Sequence, residues 1–296
     1  TAYGKNSEQA VDAAVKEVQR LDELLSTGNP DSEVSAINSK GSGTLSDDTK
    51  TILTEATEIY RETDGLFDVT IYPLMQLWGF PTQEYHVPTE SELKEALAKV
   101  DASQIVIEGD QVTLGTGQQM DLGGIAKGYT SARIMEIYRE YGITSGMVSL
   151  GGNVQTLGTR PDGKDWNIGI QNPDGQQGSL LAALPVENKA VITSGGYERY
   201  FEEDGNTYIH ILNPKTGYPA DSGLVSVSII SENGMLADAL STSLYLMGEE
   251  KAAEYWRTHA DAFDMILEDK DGTLYVTEGL SQEIQTDNTM IVLNIN

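Results

Sequence analysis

The sequence predicts an α+β fold with mainly antiparallel sheets packed against helices, and three observations lead there. Helical periodicity is concentrated in the first half of the 296-residue chain. Strand-like runs cut by Gly, Pro and Asn turns fill the second half. No regular βαβ alternation and no repeat is visible, so neither a doubly wound parallel sheet nor a solenoid is expected.

From the N-terminus, "SEQAVDAAVKEVQRLDELLS" (7–26) places Val11, Ala14, Val15, Val18, Leu21 and Leu25 at helical spacing. "TGNPDSEVSAINSKGSG" follows as a loop rich in turn residues. In "SDDTKTILTEATEIYRETDG" (46–65) the apolar face is Ile52, Leu53, Ala56, Ile59 and Tyr60, with Ser46 as N-cap and Gly65 closing the helix. "PTESELKEALAKV" (88–100) opens with Thr89 and Glu92 at capping-box spacing. "SQIVIEGDQVTLGTGQQM" (103–120) alternates and turns as a hairpin, and "KGYTSARIMEIYREYG" (127–142) is an amphipathic helix ending on Gly142. Strand runs then dominate, from "GMVSLGGNVQTLGT" to "LVSVSIIS". Two helical stretches (237–248 and 249–260) and three strands, "FDMILED", "TLYVTEG" and "MIVLNIN", complete the chain.

Composition narrows the function. A formal net charge of -27 excludes nucleic acid as a partner, because phosphate would be repelled and no neutralising patch offsets it. An anionic ligand therefore needs a local device: a cation, a helix N-terminus or a metal ion. With no cysteine there is no disulfide, thiolate nucleophile or Cys-ligated metal. No apolar run approaches the ~20 residues of a membrane span. The opening "TAYGKNSEQA" runs a β-like pair straight into a helix, as though a preceding strand and an export segment had been trimmed.

Several stretches could carry chemistry. On a helix, "ADALSTSLYLMG" (237–248) sets Ala237, Leu240, Leu244 and Met247 on one face and Asp238, Ser241 and Thr242 opposite. Such short oxygen side chains serve as helix caps or as half of a site for a hard cation, which takes oxygen ligands and shares substrate phosphates. "MDLGGIAKGYTSARI" (120–134) puts Gly123, Gly124 and Lys127 at the mouth of a helix, either for tight packing or to receive an anion. Asp121 beside it would repel phosphate and so points to another contact, such as adenine, flavin or an amide. "GLFDVTIYPLMQLWGFP" places Trp78 and Phe80 around Gly79, as core or as the floor of a pocket for a flat ring. "TSGGYERYFEEDGNTYIHILNPKTGYPA" hangs Thr193, Ser194, Glu198, Arg199 and His210 near glycine turns, with His210 facing opposite to Ile209 and Ile211. "SLGGNVQTLG" (149–158) reads as a turn.

Taken together, "STGNPDSEVSAIN", "GLFDVTIYPLMQLWGF", "MDLGGIAKGY", "SLGGNVQTLG", "TSGGYERYF", "YIHILNPKTGYP" and "ADALSTSLYLMG" resemble the ApbE family of FAD:protein FMN transferases, in the family's order and over nearly the whole chain. The resemblance implies a single ApbE-like (T-fold-like) domain over 1–296. It also implies Mg²⁺-dependent transfer of FMN from FAD to a threonine hydroxyl of a target flavoprotein, such as a membrane redox-pump subunit, with release of AMP. Location is expected outside the cytoplasmic membrane, lipid-anchored. By resemblance Asp238, Ser241 and Thr242 hold Mg²⁺ with a backbone oxygen near Gly124, while Asp121, Lys127, Trp78, Gly79, Phe80 and Ile211 line the FAD site. His210 matches a histidine associated with acid–base work, with Asp238 and Asp121 as rival bases. Two departures stand out: a strand that contacts FAD is missing before Thr1, and Gly28 occupies a position against the flavin where many relatives carry tyrosine. Hydrolysis of FAD to FMN and AMP, or flavin binding without catalysis, are the alternatives.

Overall fold

The computed structural model describes residues 1–173, 175 and 178–295. Its first half runs β1 (Ala2–Tyr3), α1 (Ser7–Leu25), α2 (Glu33–Lys40), β2 (Ser42–Thr44), α3 (Asp47–Glu62), α4 (Tyr72–Leu77), α5 (Glu90–Leu97), β3 (Val106–Glu108), β4 (Gln111–Thr113) and α6 (Ala126–Glu140). Strands β5 (Ser145–Leu150), β6 (Asn153–Leu157), β7 (Trp166–Gln171), β8 (Leu180–Val186), β9 (Ala190–Gly195), β10 (Tyr200–Glu203), β11 (Asn206–Ile209) and β12 (Leu224–Ser231) follow. The chain ends with α7 (Gly234–Met247), α8 (Glu249–His259), β13 (Asp264–Asp269), β14 (Leu274–Thr277) and β15 (Met290–Leu293). The α+β class holds, and among the described residues every strand pair is antiparallel except β14 with β15.

The chain divides into two compact units. One, the sheet unit, takes Thr1–Gln19, Lys127–Tyr197 and Asp221–Asn296. Its eight-stranded sheet has the order β1-β5-β6-β9-β12-β13-β14-β15, and β7 and β8 form a separate ribbon. The ribbon's Trp166, Ile168, Ile170, Leu184 and Val186 pack with Val191, Ile230, Ile266 and Val276 of the large sheet. Because strand side chains alternate between faces, Ser194 of β9 reaches α7, while Thr193 pairs with Ser228 at 2.7 Å on the other face.

The helical unit takes Arg20–Ala126 and Glu198–Ala220. It holds α2 to α5, the three-stranded sheet β2-β4-β3 and the hairpin β10–β11. The anticipated caps are present: Ser46 receives the Thr49 N–H, and Thr89 and Glu92 close a capping box. Two helices differ from expectation. The turn-rich stretch after Ser26 contains α2, whose N-cap Ser32 accepts from the Ser35 N–H and whose C-cap Gly41 adopts φ 73°. Inside the aromatic segment, Pro73 lies in the first turn of α4, where its missing N–H costs no hydrogen bond.

Candidate active site

In the sheet unit the chemistry gathers where α6 begins. Asp238, which is 4% exposed, lies one turn inside α7, whose actual N-cap is Asn233. Its carboxylate receives the Gly128 N–H at 2.8 Å on Oδ2 and the Asn153 Nδ2–H at 2.9 Å on Oδ1. Capping is therefore a real task of this residue, performed on the N-terminus of α6 rather than on its own helix. Burial pushes the Asp238 carboxyl above the usual carboxylate range, opposed by the Lys127 charge and by the Gly128, Asn153 and Lys127 donors.

The expected contrast between a polar and an apolar face of α7 is replaced by burial on several sides: Ala237, Leu240 and Leu244 are buried, and so are Asp238 and Ser241. Met247 is half-exposed. The Ser241 hydroxyl donates to the Asp238 carbonyl at 2.7 Å and lies 2.7 Å from the Ser194 hydroxyl. Thr242 is half-buried, its Oγ1 3.4 Å from Ser194 Oγ. A helix can approach so closely because Gly128 and Gly234 face each other. A Cβ on Gly128 would fall 2.1 Å from the Gly234 carbonyl oxygen. Gly128→Ala should thus lower stability by about 1–3 kcal/mol, since backbone must move rather than a side chain, and a thermal unfolding scan would register the loss.

Among the described residues no group of three or more His, Cys, Asp or Glu side chains could hold a metal. The donors present are one carboxylate and neighbouring hydroxyls, all oxygen. That set fits a hard divalent cation which keeps waters and shares ligands with a phosphate, and it does not fit zinc.

The helical unit presents a second group. Asp121 accepts the Gly123 N–H at 2.8 Å. Desolvation raises its pKa, while that N–H and the Arg199 charge lower it. Gly124 sits in the turn that leads into α6, where a Cβ would meet the Phe67 ring at 3.2 Å. Strand β11 stops at Ile209, one residue short of His210. The His210 N–H donates to the Arg199 carbonyl at 3.0 Å, and Nδ1 lies 3.1 Å from the same oxygen. A carbonyl only accepts, so a hydrogen bond at this contact is donated by Nδ1–H and turns Nε2 away from the Arg199 oxygen. In the β10–β11 register Phe201 pairs with Tyr208. Phe201 and Tyr208 consequently share one face of the hairpin, and just beyond the strand ends the His210 N–H joins the Arg199 carbonyl.

Trp78 and Phe80 are 0% and 1% exposed. Instead of flooring an open pocket, they pack in a core with Leu74, Leu93, Phe201 and Leu212. The Trp78 indole donates to the Gly217 carbonyl at 2.8 Å, and the Phe80 carbonyl accepts from Arg199 Nη2 at 2.7 Å. Gly79, at φ 77°, admits the chain's own backbone: a Cβ there would lie 1.9 Å from the Glu84 carbonyl oxygen. Ile211 is likewise buried, at 4%, and its carbonyl accepts the Ala220 N–H. Gly28 lies exposed in the turn after α1, its N–H 3.3 Å from Ser26 Oγ.

Sequence reasoning passed over Asn153, whose "GGN" context reads as a turn. It named Arg199 and Ser194 without giving them a partner. A lone Asn opening a strand directly after two glycines was the available signal for the first.

The ApbE family model matches residues 1–267. The "FAD:protein FMN transferase" of Vibrio cholerae is 34% identical over 277 residues, covering 92% of this chain and 82% of the relative. That of Treponema pallidum is 33% identical over 279 residues, 86% of this chain and 77% of the relative. Among solved structures, the ApbE protein of Thermotoga maritima superposes with a TM-score of 0.88 at 31% identity, covering 94% of this chain and 92% of that one. The Pseudomonas stutzeri flavinyl transferase ApbE gives 0.81 at 28% identity, covering 97% and 87%. With one family model running through segments of both units, the chain belongs to the ApbE family.

Proposed function

We propose that this protein transfers FMN from FAD to a threonine hydroxyl of a target flavoprotein and releases AMP. Names of relatives support the transferase reading, and the observation that carries the chemistry is the buried, all-oxygen cluster around Asp238. In the sheet unit Asp238 and Thr242 would hold Mg²⁺, with Ser241, whose hydroxyl is already shared between Ser194 and the helix backbone, keeping α7 in place. Bound there, the cation would neutralise charge on pyrophosphate oxygens. Lys127 adds positive charge beside the same carboxylate.

In the helical unit His210 Nε2 takes the proton of the incoming hydroxyl, and Asp121 orients a polar group of the flavin or adenine. Trp78, Gly79, Phe80 and Ile211 serve as buried supports that set the positions of carbonyls and of Arg199. We assign Gly28 only a backbone approach to the flavin, since it carries no ring. Residues 1–296 are proposed to act as one ApbE-like domain, in keeping with a family match that spans both units. Location outside the cytoplasmic membrane with a lipid anchor, and redox-pump subunits as acceptors, belong to the same proposal. No helix among the described residues is long and apolar enough to cross a membrane.

Incubation with FAD, Mg²⁺ and a threonine-containing acceptor peptide, followed by mass spectrometry, tests the reading. FMN-modified peptide with AMP supports it. Free FMN with AMP and unmodified peptide would identify a hydrolase, and bound but unchanged FAD a flavin carrier. FAD should also bind at least ~10-fold more tightly than FMN or riboflavin, about 1.4 kcal/mol, because pyrophosphate and adenosine add contacts. Calorimetry measures that difference, and equal affinities would favour the carrier.

A further inference from the structure

Arg199 is an exposed cation in a chain with 19 basic and 46 acidic residues, and its surroundings aim it at a particular task. One guanidinium nitrogen is tethered to the Phe80 carbonyl at 2.7 Å. Phe80 itself is 1% exposed, so the anchor is rigid. The remaining N–H groups of the fork have no hydrogen-bond or ion-pair partner among the described residues. Among the described residues no carboxylate forms an ion pair with it, although the Asp121 carboxyl is near enough to feel its charge. The Arg199 carbonyl meanwhile holds the His210 ring and backbone at 3.1 and 3.0 Å. One residue thus fixes the orientation of the imidazole through its backbone and presents a planar, tethered cation through its side chain. A pre-tethered guanidinium with open donors matches the paired oxygens of a phosphate, where an ammonium would act only as a point charge.

Resting on the transferase reading above, we infer that Arg199 binds the non-bridging oxygens of the FMN phosphate of FAD, the phosphorus that the acceptor hydroxyl attacks. In that step the threonine oxygen–phosphorus bond forms and the bond from phosphorus to the AMP oxygen breaks. The electron pair leaves with AMP, and the hydroxyl proton passes to His210 Nε2. The FMN phosphate, rather than that of AMP, is selected because the cation and the base are joined through the Arg199 carbonyl. The phosphorus receiving the nucleophile must lie within reach of the base that deprotonates it.

The test compares Arg199→Gln with the parent in binding of FAD, FMN, riboflavin and AMP by calorimetry or flavin fluorescence. The variant should bind FAD and FMN about 10- to 100-fold more weakly, the loss expected for a charge-assisted contact, with riboflavin and AMP changed less than about twofold. Arg199→Lys keeps the charge but not the tether and fork together, so it should fall between. It also serves where the Gln variant folds poorly. An equal loss for riboflavin would overturn the inference in favour of a ring contact or a structural role, and a loss confined to FAD and AMP would move the arginine to the adenosine phosphate. Unchanged FAD and FMN affinities in both variants would overturn it outright. Failure of the parent itself to bind any flavin would instead defeat the functional reading.

Discussion

Replacing Asp238 by Asn is expected to cut FMN transfer by more than about 100-fold at saturating FAD, because in the proposed site it touches the cation, and such a group should cost more than the outer partners of metal ligands do. The amide keeps the shape and loses the charge. It also brings a second penalty that the helix position reveals. Both carboxylate oxygens accept N–H donors, from Gly128 and Asn153, so an Nδ2 placed on either side meets a donor with a donor. A stability loss of about 1–3 kcal/mol should therefore accompany the loss of activity. Asn153→Ala separates the two effects, since it removes one of these donors and leaves the carboxylate. Turnover measured against Mg²⁺ concentration, with unfolding curves for both variants, decides the matter. Transfer by Asp238→Asn at the parent rate under limiting Mg²⁺ would leave the residue as a cap for α6 alone.

His210→Ala should slow transfer by roughly 10²–10⁴ while FAD affinity stays nearly unchanged, the range for loss of a general base. The contact of Nδ1 with the Arg199 carbonyl makes Nε2 the nitrogen assigned the base role in the proposal. His210→Asn offers a finer comparison, because its amide can still donate toward that carbonyl but has no basic atom. Both variants should differ from the parent in the pH profile of transfer. Rapid-quench measurement of the FMN–peptide product gives the rate, and flavin fluorescence gives the affinity. A variant with the parent's rate and pH profile would move the role to Asp121 or Asp238.

The parts of the fold legible in the sequence are those whose local signals agree with their burial. Helix α3 with its Ser46 cap and α5 with its capping box have both. Helix α2 was hidden because Asn29, Pro30, Asp31 and Ser32 are turn residues, yet they form the approach to an eight-residue helix that Ser32 caps. Helix α7 was legible as a helix but not in its surroundings. Its short side chains look like a polar face only while the neighbours are unknown, and Gly128 of α6 and Ser194 of β9 take up that face. Aromatic density at Trp78 and Phe80 meant core, as it commonly does, while the atom of Phe80 that meets Arg199 is its carbonyl, which no side-chain pattern announces. The tautomer of His210 likewise depends on a backbone partner eleven positions away that only strand register supplies.

The large sheet also sets a timetable for synthesis. Its first strand pairs Ala2 with Gly146, and its last, Met290–Leu293, closes the opposite edge. At a ribosomal rate of ~5–20 residues per second, roughly 7–30 s separate the emergence of Ala2 from that of its partner Gly146. The polypeptide meanwhile passes through Arg20–Ala126 of the helical unit, which in turn waits for Glu198–Ala220. Neither unit can therefore mature co-translationally as an uninterrupted stretch. For that interval unpaired strands and aromatic residues are exposed to other nascent chains. A charge of -27 spread along the polypeptide supplies mutual repulsion throughout the wait, giving the acidic composition a role in biogenesis apart from any ligand.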